Sequence, residues 1–161
     1  MERYNEEREG ALKKIRVADH MLTMTYPIVQ DPKILMAVLE NIFQSMESSI
    51  SSILYYERKY KRIPPFQDTF ESKFNMFRMR CVERYSIPKE YLTLISEIKE
   101  IILKHKESPI EFRRKDKFVI CSENYDIKTI SIKDIKDFLI KSKLFCENIF
   151  KIIEKNDRLM P

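Results

Sequence analysis

The sequence predicts an all-α protein, an antiparallel bundle of about five helices with a short hairpin or extended loop before the last helix. Three observations predict it. Between Asp31 and Arg62, the residues Leu35, Leu39, Ile42, Met46, Ser49, Ile53 and Tyr56 recur at alternating spacings of four and three, which keeps one face of a helix turned toward a partner. The 161 residues include one glycine and no Ser/Gly tract, internal repeat or low-complexity run, the composition of one helix-biased domain spanning residues 1–161 rather than of two units joined by a linker. Prolines and capping residues mark the ends of the apolar runs, as at Asp31-Pro32 and Pro64-Pro65.

Taken in order, Glu2 to about Tyr26 reads as the first helix, with Leu12, Ile15, Ala18, Leu22 and Tyr26 as its inner stripe and Ala11, Met21 and Val29 widening it. Pro27 kinks or ends that helix; if the last turn survives it, the reversal is squeezed into Gln30-Asp31 and the first two long helices form an antiparallel αα-hairpin. The second helix carries Ser45, Ser48, Ser49, Ser51 and Ser52. Small residues permit close approach of another backbone; Ser45, Ser48 and Ser52 read rather as an exposed face. Cations at Arg58, Lys59, Lys61 and Arg62 suit its C-terminus.

After Pro64-Pro65, Phe66, Phe70, Phe74, Phe77 and Cys81 form one stripe of a helix capped by Asp68 or Thr69 and running to about Arg84. This stripe reads as core, because base-stacking aromatics sit on exposed sheet surfaces or loops. Pro88 starts a fourth helix on which Tyr91, Ile95, Ile98, Ile102 and His105 share a face, and Ser108-Pro109 stops it. From Glu111 to Ile130 the period changes: Phe118 to Cys121 and Tyr125 to Ile130 are β-branched and aromatic around Ser122-Glu123-Asn124. Ser131-Ile132-Lys133-Asp134 resembles a capping box and opens a last helix to about Lys155, with Ile135, Leu139, Phe145, Ile149 and Ile152 inward.

One glycine cannot supply a Walker loop or a dinucleotide fingerprint, so nucleotide binding of those two kinds is excluded. Cys81, Cys121 and Cys146 are odd in number and widely spaced, the pattern of reduced thiols rather than of a disulfide framework or zinc site. A charged N-terminus without an apolar leader, and no run approaching the ~20 residues of a membrane span, predict a soluble cytoplasmic protein. Charged residues make up 34% of the chain, with abundant Lys and Ile and scarce Gln, a usage compatible with a thermophile source. The net charge of +5 permits an acidic partner such as nucleic acid without demanding one.

Two histidines bound any His-based chemistry: His20, one turn from Arg16, and His105, where a helix C-terminus favours the protonated form. Both also read as structural residues, in a salt-bridged turn and under a following loop. Glu111 to Lys117 is the most polar irregular stretch, and there Arg113 and Arg114 can fork onto a phosphate with Lys115 and Lys117 adding charge. Equally, the same arginines can pair with Glu107, Glu111 and Asp116 in a solvated loop. No Glu-x-x-His pair is present, which argues against a metal site, and no cofactor is implied.

Two long antiparallel helices, shorter helices and an arginine-bearing turn before the final helix resemble the HEPN fold, a helical-bundle family of prokaryotic RNases, toxins and defence proteins. The resemblance is architectural and covers most of the chain. HEPN RNases carry an Arg followed four to six residues later by His, and Arg113 or Arg114 lies where that Arg is expected. In this chain the corresponding positions are Lys117, Phe118 and Val119 after Arg113, and Phe118, Val119 and Ile120 after Arg114. Arg16 and His20, with three residues between them, are too close for the motif and lie on another helix. The resemblance therefore implies a non-catalytic, binding-only member of a toxin-antitoxin or defence setting. It acts on RNA through Arg113, Arg114, Lys115 and Lys117, or on a protein such as a nucleotidyltransferase-like partner. A homodimer is expected because the long two-helix hairpin leaves its serine-punctuated face around Ser49 and Ile53 for a second copy to cover, and because the resembling family dimerises. Two alternatives stand beside it: a metal-independent RNase using Arg114 and His105, and a structural assembly subunit.

Overall fold

The computed structural model describes residues 1–107, 111–114, 117–121 and 127–159, the strands up to residue 129 as backbone. It is an all-α bundle built around one long helix. The described elements are α1 (Arg3–His20), a π-helical turn (Met21–Thr25), α2 (Tyr26–Val29), α3 (Pro32–Lys59), α4 (Phe70–Arg80), α5 (Glu90–Glu107), β1 (Glu111–Arg114), β2 (Lys117–Cys121), β3 (Ile127–Ser131) and α6 (Ile132–Leu159).

All seven residues of the apolar seam of α3 are buried, from Leu35 to Tyr56. They are joined by Met36, Val38, Ile50, Leu54 and the serines at 45, 49, 51 and 52, because α1, α4, α5 and α6 all pack against this helix. Each large aliphatic side chain taken fully out of water there contributes roughly 1.5–3 kcal/mol. The Asp31 carboxylate accepts from the Lys33 N–H at 2.9 Å and opens the helix as expected.

Partner pairs give the directions. Lys59 meets Glu2, the Ser52 hydroxyl donates to the Tyr4 carbonyl, Lys14 meets Gln44 and Asn41 meets Met21. As one residue number falls the other rises, so α1 and α3 are antiparallel. Arg8–Glu154 and Asp19–Lys143 make α1 antiparallel to α6 as well, whereas Ser49–Cys146 and Tyr60–Asp157 run in step, so α3 and α6 are parallel.

Pro27 does not end the first arm. The preceding turn widens to π geometry, with the Tyr26 N–H on the Met21 carbonyl, and helix continues to Val29. The reversal then falls on Gln30, at φ 54°, and on Asp31. Val29 is exposed at this tip rather than part of the inner stripe. Thr69 caps α4 by accepting from the Ser72 N–H, but the helix stops at Arg80, short of Arg84. Cys81, Val82 and Ile87 beyond it are buried, and Ser86 takes φ 53° in the turn between them and α5. Of the phenylalanine stripe, Phe77 is fully buried while Phe66, Phe70 and Phe74 lie half-buried at the edge of the core.

The stretch before α6 is a three-stranded antiparallel meander in the order β1-β2-β3, with Arg113 paired to Phe118, Arg114 to Lys117 and Lys117 to Ser131. Ser122-Glu123-Asn124 and Ser108-Pro109 lie outside the described residues. The capping box forms with Asp134: its carboxylate accepts from the Ser131 N–H at 2.9 Å, and the Ser131 hydroxyl accepts from the Asp134 N–H at 3.0 Å. Among the described residues no helix is long and apolar enough to cross a membrane.

Candidate functional site

The residues singled out by sequence are dispersed. Arg113 and Arg114 occupy neighbouring positions of β1 and Lys117 the first position of β2, while Lys115 lies outside the described residues. His20 is exposed on α1. His105 lies half-buried near the end of α5. Burial lowers its pKa, the Glu40 carboxylate raising it and Lys106 lowering it further. The loss of solvent around the ring is the largest of these influences and acts against its protonated form.

Ser49 and Ile53 need a second correction. Both are fully buried within one chain, Ser49 donating to the Ser45 carbonyl at 2.9 Å and lying 3.1 Å from the Cys146 sulfur on α6. Ser45 and Ser52 are buried too, contrary to their reading as an exposed face. The small serine side chains do admit a close neighbour, but α1 and α6 of the same molecule supply it. An interface between copies cannot use that seam.

Among the described residues, a concentrated cluster of polar side chains lies where α3 ends. Glu57 falls four residues after Ile53, so it continues the buried seam and its carboxylate is fully buried. A buried charge is tolerated only when paired and hydrogen-bonded. Three partners come from two chain turns. Lys61 takes φ 57°, the left-handed conformation at a helix end, with the Arg62 N–H on the Glu57 carbonyl at 3.0 Å. That reversal brings the Arg62 guanidinium to 3.6 Å from Glu57 Oε1, over the rings of Tyr56 and Tyr60. From the turn after α4, Arg84 Nη1 donates to Glu57 Oε2 at 3.0 Å, and the Tyr85 hydroxyl donates to Oε1.

Burial, and then the hydrogen bond to Glu57, push the Tyr85 phenol up to about 12. Cys81, buried close by, is pushed up to about 12 first by burial and then by the Glu57 charge, with Arg84 opposing. Its thiol is therefore a packing group, not a nucleophile, near neutral pH. The side chain of Arg84 is 44% exposed and that of Arg62 22%. Residues 58–67 carry four cations and no acid, and residues 78–89 carry Arg78, Arg80, Arg84 and Lys89 against Glu83 alone. Arg78, Arg80, Lys61 and Lys89 are exposed. Two arginines of these cation-rich segments, Arg62 and Arg84, are thus anchored from beneath by one buried carboxylate.

The sequence showed the cations but not the anchor. The available signal was an acid placed on an apolar seam one turn beyond Ile53. Elsewhere, a groove of about 430 Å³ between α5 and α6 is lined by Tyr91, Leu144, Glu147, Lys151 and Lys155 and is open to solvent with both signs of charge. Among the described residues no group of three or more His, Cys, Asp or Glu side chains is placed to hold a metal ion. Compared with known proteins, the chain matches no family model, no curated protein and no solved structure.

Proposed function

We propose that the chain is a non-catalytic RNA-binding protein of HEPN-like architecture that takes its ligand on the cationic surface at the ends of α3 and α4. The observation that carries this reading is the anchoring of Arg62 and Arg84 on buried Glu57, in chain segments that also carry exposed Lys61, Arg78 and Arg80. Arginines whose guanidinium planes are already fixed lose less freedom on meeting a phosphate, and their charge acts on any RNA sequence. Arg113 and Arg114, at successive positions of β1, add a second basic segment in this reading. The test is fluorescence anisotropy with labelled single-stranded RNA over a range of salt. Replacing Arg78 and Arg80 together by Ala weakens binding alike for different sequences and flattens the salt slope by about one to two units. Unchanged binding in that variant, and in the variant lacking Arg113 and Arg114, overturns the reading. RNA incubated with the protein and no metal stays intact; cleavage lost in both His105→Ala and Arg114→Ala makes an RNase the better account.

A protein partner, including a second copy of the chain, is the second reading. Met24, Ile28 and Val29 favour it, since they expose apolar surface together at the tip of the α1–α3 hairpin. Sedimentation that shows a monomer unchanged by Ile28→Asp removes it for the second copy.

A further inference from the structure

We infer that Arg84 is a phosphate-contacting residue and that Glu57 is its positioning residue, holding the guanidinium so that its outer edge meets a phosphate oxygen. The inference rests on the RNA-binding reading and names the residues that set its geometry. Arg84 commits Nη1 to Glu57 Oε2 at 3.0 Å while its side chain remains 44% exposed. A guanidinium is planar with five donors in a fixed fork, so holding Nη1 restricts the orientations open to the rest of the group. The N–H groups of Nη2 and Nε then form the second edge, the geometry that meets two phosphate oxygens side by side.

Glu57 itself is held on its other oxygen by Arg62 and by the Tyr85 hydroxyl, so it cannot swing away when Arg84 takes a ligand. Arg80, exposed, sits one turn earlier in the chain and adds charge without a fixed plane. The carboxylate therefore has a role opposite to its charge. Long-range electrostatics alone predicts that removing an acid strengthens the binding of an anion. Positioning predicts that it weakens it.

The experiment uses the full chain, with circular dichroism to show that each variant is folded. Single-stranded RNA is titrated at fixed salt against the wild type, Glu57→Gln and Arg84→Lys. Arg84→Lys keeps the charge and loses the fork, and binds about tenfold more weakly. Glu57→Gln raises the net charge by one yet binds several-fold more weakly. A folded Glu57→Gln that binds as tightly as the wild type or tighter overturns the positioning role, and an unaffected Arg84→Lys overturns the contact. If Glu57→Gln does not fold, Arg84→Lys decides alone. Inorganic phosphate, followed on the Arg84 Nε–H resonance by NMR, separates this inference from the wider reading. In a wild type that binds no RNA the wider reading fails, while a saturable phosphate shift that disappears in Glu57→Gln still upholds the local one. Absence of any shift overturns it.

Discussion

At the scale of single residues, backbone conformation and residue type are matched in an unusual way. Among the described residues the left-handed positions are Gln30, Lys61 and Ser86, at φ 54°, 57° and 53°, and none is glycine. The single glycine, Gly10, lies inside α1, where a glycine costs roughly 0.5–1 kcal/mol relative to alanine. A Cβ added at Gly10 meets nothing within 4 Å. Gly10→Ala is therefore expected to raise stability by about 0.5–1 kcal/mol, mainly by restricting the unfolded chain, and a urea midpoint shifted upward at unchanged slope checks it. Lys61 is the left-handed residue with a consequence for the surface, because its reversal returns Arg62 to Glu57.

At the scale of elements, three helix starts are set by their own sequence. Asp31, Thr69 and the Ser131/Asp134 pair each accept or exchange the expected N-terminal hydrogen bonds. These interactions are local, which is why they were legible without the fold. Ser131 also ends β3, so its cap fixes where strand gives way to α6. Ser131→Ala removes one of the two reciprocal bonds and is expected to cost about 1 kcal/mol, read from thermal or denaturant unfolding. One helix end was less legible. The α4 helix stops at Arg80, although nothing at residues 81–84 breaks a helix, and the turn that follows carries buried Val82 and leads to buried Ile87.

At the scale of the whole molecule, α3 is enclosed by neighbours on nearly every side, and its serines are where those neighbours come closest. Ser49 has no exposed surface and touches Cys146 of α6. Ser49→Arg therefore unfolds the chain rather than splitting a dimer, by overpacking and by burying an unpaired charge. Loss of the helical circular dichroism signal at all protein concentrations checks this, whereas a folded monomer contradicts the single-chain core.

The sequence by itself determined the helical class, the central seam from Leu35 to Tyr56, the caps and the change of period before α6. Each depends on contacts within a few residues or on a repeat of 3.6, and neither needs distant partners. Only the tertiary structure decided which chain covers the serine face, where α4 stops, that α3 and α6 run parallel, and that Glu57 lies beneath Arg62 and Arg84. Residues 57 and 84 are brought together by two helix ends and an intervening turn, and no local periodicity records that meeting. A buried carboxylate is energetically permissible only with its partners in place, so its role emerged with them.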